Sequence, residues 1–474
     1  MKKLFLIIPL FLSLISFSQE KWTVEKCIKH AIDNNLQIKS QLQNNQITEN
    51  NLLQSKLDLL PSLNVGANES IILGRSVDPY TNEFSSENYN STNFQLSSSI
   101  TLFNGLQNYN QIKKSKIEKE KAEYQLEIVK KNMILTIISA YLNILYTSDL
   151  VELSRQQRDI TKQQLDRILL LVNADKLPQQ NKYEMEAQLA NEELNILIYE
   201  NQLSAANLVL VQLLELENYE NFQILKPEIT EIPAFETLTV EQIYEEALKN
   251  MPEIKYAEMN IESSAKNLSI ARGGLYPRLT FNASYGTGYS SARQMIDHII
   301  IGNTAMPTGA FVTDLGGNRF DVYQNVTNIR YKKQSFDFQI KDNASTSFSF
   351  NLSIPLFNGY TARTQVQNSK IYLEQSKISI EQTKKDLLKE IQQANSDAVA
   401  ASKKYIATHK TMESNLLSFQ YTEARYQQGL LNSTDYNVAK NNLTKVEVEL
   451  LKAKYDFIFK IKILNFYLGK DINL

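Results

Sequence analysis

Side chains able to do catalytic or metal chemistry are few and scattered in this chain. The three histidines, His30, His298 and His409, lie far apart in sequence, and Cys27 is the single thiol. A zinc or iron centre needs imidazoles, thiolates or carboxylates at converging spacings, and these residues give it little to build from. One cysteine supplies no intrachain disulfide framework, and within a helical pattern it reads as a small buried apolar residue. No GxGxxG, P-loop or GxSxG elbow stands at a strand-to-helix junction. With 50 basic against 52 acidic residues the formal charge is −2, without the concentrated basic face that nucleic acid requires. No enzyme activity, cofactor, metal or nucleic-acid partner is expected. The chemistry on offer is instead neutral and polar: rows of Ser, Thr, Asn and Gln alternating with apolar residues.

Those rows call for strands. Leu63, Val65 and Ala67 alternate with Asn64, Gly66 and Asn68, and Phe94, Leu96, Ile100 and Leu102 with Gln95, Ser97, Ser99 and Thr101. Further on, Leu279, Phe281, Ala283 and Tyr285 alternate with Thr280, Asn282, Ser284 and Gly286, and Phe348, Phe350, Leu352, Ile354 and Leu356 with Ser349, Asn351 and Ser353. A period of two with one greasy face fits half of a soluble sandwich, or a barrel wall between lipid and water. The length of about ten residues and the nearly charge-free polar face favour the barrel, whose tilted strands need ~9 to 11 residues. Four strands cannot close one, and open edges are not tolerated in lipid, so several copies must share a barrel.

The chain is also written twice. Ile100-Thr101-Leu102-Phe103-Asn104-Gly105 returns as Ile354-Pro355-Leu356-Phe357-Asn358-Gly359, each closing a strand pattern and opening a long helical one. Ala31, Asn34, Ile38, Lys39, Pro61 and Leu63 recur at an offset of 216, which becomes 254 past the strands, so the second half carries 38 extra residues. The spacing predicts short helices at Thr23–Asn34 and Thr239–Asn250, each with Thr as N-cap, then second helices stopping before Pro61 and Pro277. Proline-free helical patterns run from Gly105 to about Val172 and from Gly359 to about Gln428, a coiled-coil rhythm extending ~100 Å. Return helices follow at about 180–214 and 433–468.

Before all this, Lys2 and Lys3 precede an apolar run from Leu4 to Phe17, with Ser16 and Ser18 flanking a cut before Gln19, which reads as a secretory leader. The expected organisation is a leader at 1–18, a first repeat at 19–217 with strands near 61–73 and 92–103, and a connecting segment at 218–237. The second repeat then covers 238–474, with strands near 277–289 and 344–357. The insertion at about 290–343 reads as a solvated loop on the cell exterior, with a cap over the pore as the alternative.

The leader, the duplicated helix-strand-strand-helix-helix unit, the paired Leu-Phe-Asn-Gly junctions and Arg425-Tyr426-Gln427-Gln428-Gly429 followed by Asp435 and Ala439 together resemble the TolC-like outer-membrane efflux proteins. The resemblance covers nearly the whole mature chain. It implies a mainly α protomer whose homotrimer forms a twelve-stranded transmembrane β-barrel continued by a long α-helical barrel. Such a duct would cross outer membrane and periplasm, with outer-membrane lipid, a periplasmic adaptor and an inner-membrane transporter as its partners in efflux or type I secretion. The alternative is a periplasmic coiled-coil scaffold without transport. In that family the tip is held by Tyr, Arg and Asp contacts and lined by Asp rings. Carried over, the Tyr falls on Tyr426, the turn Gly on Gly429 and one ring Asp on Asp435. The Arg position is Leu431, a second Asp position is Val438, and the partner Asp of the first half is Asn181. Three symmetry-related Asp435 carboxylates would repel one another and select against anions. Capping of the return helix by Asp435, Ser433 or Thr434 is the other reading, as an interhelical aromatic is for Tyr426. Asp175, where the second half has Gly429, predicts a different backbone at the first tip.

Overall fold

The computed structural model describes residues 21–80, 82–86, 88–217, 222–227 and 238–470; the leader and most of the connecting segment lie outside the described residues. The first repeat runs α1 (Val24–Asn34), α2 (Leu36–Leu57), β1 (Ser62–Ile72), the two-residue strands β2 (Ser76–Val77) and β3 (Phe84–Ser85), β4 (Tyr89–Asn104), α3 (Gln107–Asn173) and α4 (Gln179–Leu213). The second runs α5 (Val240–Asn250), α6 (Pro252–Gly273), β5 (Arg278–Ser290), β6 (Gln294–Thr313), β7 (Arg319–Lys333), α7 (Phe336–Asp342), β8 (Ser345–Ser353), α8 (Thr361–Gln427) and α9 (Ser433–Tyr467). The four helices of each repeat have matching lengths of 11, 22, 67 and 35 residues, so the duplication extends to the geometry of every helix outside the insertion.

Local chemistry sets the ends. Thr23 accepts from the Lys26 N–H at 3.2 Å, and Thr239 forms a full capping box with Gln242. Pro252 opens α6, where its missing N–H costs nothing. Two expectations need correction. The alternation of the second repeat predicts a strand to 357, but β8 stops at Ser353, because Pro355 has no N–H to give a ladder. The insertion is no irregular loop: β6 and β7 pair from Gln294↔Lys333 to Thr313↔Arg319 as a hairpin with three register shifts, followed by α7.

The chain divides into two compact units, residues 51–115 with 265–371, and the remainder. In the first, β1, β4, β5 and β8 form one antiparallel sheet in the order β1-β4-β5-β8, so each repeat contributes one outer and one inner strand.

The second unit is helical. Its largest core joins Val24, Cys27 and Ala31 of α1 to Ile137, Tyr141 and Leu145 of α3, Leu210 of α4 and Ile458 of α9. An equivalent core joins Ile243 and Ala247 of α5 to Ile391 and Ala398 of α8 and Leu464 of α9. Cys27 is fully buried, and burial pushes its thiol up to about 12, which leaves it a packing residue. Trp22 forms a parallel bridge with Ile224, and Tyr141 Oη donates to the carbonyls of both Trp22 (3.1 Å) and Leu225. The middle of α3 is long and apolar enough to cross a bilayer by length and composition alone; half of that stretch is buried in this unit.

Candidate functional site: a two-faced sheet and a helical tip

The register sorts the strands into two faces. Val65, Leu96, Tyr285 and Thr346 stand in one cross-strand row, and Ile100, Phe281 and Phe350 in another. The opposite face carries Asn64, Ser97, Ser284 and Ser347 in one row and Ser99, Asn282 and Ser349 in the next. Ser99 Oγ donates to Asn282 Oδ1 at 2.8 Å, and the Ser284 and Ser347 hydroxyls meet at 2.8 Å. Glu69 and Arg278 are the only charged residues in the four strands. The apolar face is bare: Phe348 and Phe350 are each 69% exposed. A protein surrounded by water does not leave such a continuous patch, whereas a lipid-facing barrel wall requires it. Exposed aromatics flank it, with Phe103, Tyr276, Phe357 and Tyr360 beside the helix junctions and Phe336 and Phe338 beyond β7, the girdles expected at two membrane surfaces. The outer edges of β1 and β8 have no strand partner among the described residues.

Each junction from sheet to long helix uses the same device. After Phe103 and Asn104, Gly105 and Leu106 both take left-handed φ values of 65° and 63°; after Phe357 and Asn358, Gly359 and Tyr360 take 61° and 64°. Asn104 Nδ2 donates to Asn108 Oδ1 at 2.8 Å, while the Asn358 carbonyl accepts from Thr361 Oγ1 at 2.9 Å. The two glycines differ in surroundings. A Cβ on Gly105 would come within 2.9 Å of the Gly273 carbonyl carbon and the Tyr276 Cβ, whereas one on Gly359 meets nothing within 4 Å. Gly359→Ala should therefore cost only the left-handed penalty, ~1 to 2 kcal/mol. Gly105→Ala adds a backbone collision and should cost roughly 2 kcal/mol more. Urea unfolding of the two detergent-solubilised variants checks this; equal midpoints would contradict it.

At the far ends of the long helices, the tips are built alike. Asp175 and Gly429 both take left-handed φ, 57° and 74°, and the following N–H bonds back to the helix at both turns, Lys176 to Leu171 O and Leu430 to Arg425 O at 2.9 Å each. The expected backbone difference is overturned, since Asp is among the few side chains that tolerate this region. The return helix α9 is capped by Asn432, whose Oδ1 accepts from the Asp435 N–H at 2.8 Å. This corrects the capping reading of Asp435, Ser433 and Thr434. Asp435 stands exposed in the first turn, and Ser433 is buried.

Ser433 is the meeting point that sequence reasoning missed. Its Oγ donates to Glu184 of α4 and accepts from Asn181 Nδ2 at 3.3 Å, so Asn181 is brought to Ser433, with no bond to Tyr426 or Asp435. The bonds from Ser433 and then Gln180 hold the Glu184 carboxyl below its ordinary range. Tyr426 stacks on Tyr436 with ring centroids 4.6 Å apart, and Arg167 of α3 donates to the Gln427 carbonyl at 3.1 Å. Leu431 is half-buried and Val438 exposed.

Two turns beyond Ser433 and Glu184 lies a charged layer. Lys440 of α9, 2% exposed, donates to Glu192 Oε1 of α4 at 3.0 Å, to the Gln157 carbonyl of α3 at 3.0 Å and to Thr161 Oγ1. Burial lowers the Lys440 ammonium, against the opposing pull of Glu192. Burial likewise raises the Glu447 carboxyl, which accepts from Gln157 Nε2 at 2.8 Å. Three helices are thus pinned by one buried side chain.

A duplicated helical protomer carrying a two-faced, open-edged sheet is the subunit of an outer-membrane channel. The outer membrane efflux protein family matches residues 27–215 and 243–469, most of both repeats. The chain belongs to that family. No curated protein is detectably similar in sequence. Among solved structures, CusC, studied for conformational changes accompanying folding and transmembrane channel formation, is 16% identical with a TM-score of 0.73 over 94% of this chain and 92% of its own. The Campylobacter jejuni outer membrane channel CmeC is 15% identical, TM-score 0.73, over 94% and 85%. The open state of the Neisseria gonorrhoeae outer membrane channel MtrE is 16% identical, TM-score 0.68, over 94% and 89%. At these identities the likeness is one of fold. The protein is an efflux channel of the outer membrane, not an enzyme.

Proposed function

We propose that three copies pair the β1 edge of one with the β8 edge of the next, so that three four-stranded sheets close a twelve-stranded barrel. Every backbone group of the wall is then satisfied, the condition a membrane imposes on strands. The Ser, Thr, Asn and Gln face lines a water-filled passive duct, and the helices lie in the periplasm. A periplasmic adaptor at the tips and an inner-membrane transporter supply direction and energy. The observation that carries this reading is the sheet, apolar and bare on one side, neutral and polar on the other, with both edges open. A scaffold without transport has no use for a polar face whose one charge, Arg278, stands at its end. Purified protein should run as a trimer and conduct in planar bilayers; a monomer that conducts nothing would overturn the proposal.

At the tip, the Ser433 contacts with Glu184 and Asn181 and the Tyr426–Tyr436 stack close each protomer's helices, and Asp435, exposed beside them, forms an acidic ring around the axis. Gly429 and Leu431 shape the turn that presents it. Like charges at one axis favour a bound cation. Asp435→Ala should raise single-channel conductance and weaken block by divalent cations. Unchanged values would remove Asp435 from the constriction.

A further inference from the structure

We infer that α7 and the base of the β6–β7 hairpin form a docking surface for phosphate-bearing lipid headgroups at the outer rim of the barrel. The inference rests on the reading that the apolar sheet face meets lipid. Thr287, Phe94 and Tyr289 lie on that face by register. α7 sits against them: Thr287 Oγ1 donates to the Ile340 carbonyl at 2.5 Å, and the Phe336 ring lies 5.4 Å from Tyr289 and 6.4 Å from Phe94. Its position is over-determined. Fully buried Gln339 donates to the Ser290 and Gln334 carbonyls at 3.0 and 3.1 Å and accepts from the Ser290 N–H at 2.9 Å. Asn343 Nδ2 donates to the Gly288 carbonyl at 2.7 Å. A helix fixed this firmly nonetheless holds Phe336 and Phe338 outward, 47% and 48% exposed. Aromatic rings presented beside a lipid-facing wall belong at headgroup depth.

Within the hairpin base and α7 the charges have one sign in excess, with Glu69 in the cross-strand row of Tyr289 and Asp78 accepting from Ser290 Oγ as the carboxylates beside them. The hairpin base and α7 carry Arg293, Arg330, Lys332, Lys333 and Lys341 against Asp297, Asp337 and Asp342. Lys332 pairs with Asp297 at 2.9 Å, and Arg293 with Asp342 at 2.6 Å, which ties the hairpin base to the end of α7. Arg330, Lys333 and Lys341 are exposed and have no carboxylate partner among the described residues. Unpaired cations on the same two elements as these rings, at an outer-leaflet rim, complement lipid phosphates, each contributing about fivefold in binding.

The test is a titration of detergent-solubilised protein with lipid A, a diphosphorylated glycolipid, with bound lipid read by native mass spectrometry. The combined Arg330→Gln, Lys333→Gln, Lys341→Gln variant should lose roughly a hundredfold in apparent affinity, with conductance in planar bilayers unchanged. A charge-matched control on α8, Lys370→Gln with Lys385→Gln and Lys410→Gln, should lose nothing. Equal losses in both variants, no loss in the rim variant, or displacement of the lipid by inorganic phosphate at matched phosphate concentration would each overturn the inference. A wild-type protein that forms no channel would fail at the underlying reading instead, and take this surface with it.

Discussion

Phe350→Arg should prevent the protein from assembling in membranes, while Asn351→Arg, one residue on, should assemble and change ion selectivity. Phe350 lies mid-strand on the apolar face, 4.9 Å from the Phe281 ring. An arginine near the bilayer midplane costs ~2 to 4 kcal/mol, so three copies cost roughly 6 to 12 kcal/mol per assembly. That is comparable with the whole net stability of a fold, about 5 to 15 kcal/mol. Asn351 pairs with Thr280 on the polar face, where a guanidinium stays hydrated and three of them favour anions. Trimer yield after detergent extraction reads the first effect, and the reversal potential under a salt gradient reads the second. Equal behaviour of the two variants would mean that the faces do not meet lipid and water as assigned.

Lys440→Met is expected to destabilise the helical unit by ~3 to 5 kcal/mol, because it leaves the Glu192 carboxylate buried without its cation. Gln188 Nε2 still donates to Glu192 Oε1 at 2.8 Å, but it carries no charge, and Glu192 Oε2 has no partner, so nothing replaces the lost cation. Adding Glu192→Met should recover most of the loss, since an apolar pair of similar volume needs no desolvation of charge. Thermal unfolding of both single variants and the double variant gives the coupling energy directly. Near-additive losses would show that the layer is not an ion pair in the energetic sense. The layer also has a specificity role: α9 can pack against α3 and α4 in only one register if Lys440 is to reach both Glu192 and Thr161.

Much of this fold was legible in the residues because two periods dominate it. Strands of alternating Phe and Ser leave little choice of face, and the prolines at 61 and 277 mark where helix gives way to strand. The hairpin β6–β7 was not legible, because its apolar residues, such as Phe320, Tyr323 and Tyr331, occur at both even and odd positions and so show no single greasy face. The tip was read only in part. Resemblance pointed to Tyr426, Gly429 and Asp435, but the contact through Ser433 depends on which helix faces which, and spacing within one helix does not report that. The charged layer did leave a trace. Extending the apolar stripe of α9 backward from Leu443 by three and then four residues lands on Lys440 and Tyr436, and the stripe Met185, Leu189, Ile196 of α4 passes through Glu192. A lysine and a glutamate at core positions of neighbouring helices are a pair waiting to be matched.

The apolar middle of α3 bears on how the chain reaches its destination. A polypeptide bound for the outer membrane is threaded unfolded through the inner one, and there the run from Ile134 to Val151 is judged by its own hydropathy, before α4 and α9 have followed to cover it. Asn143 and Asp149 lower the hydropathy of that run and so make sideways release into the bilayer less favourable.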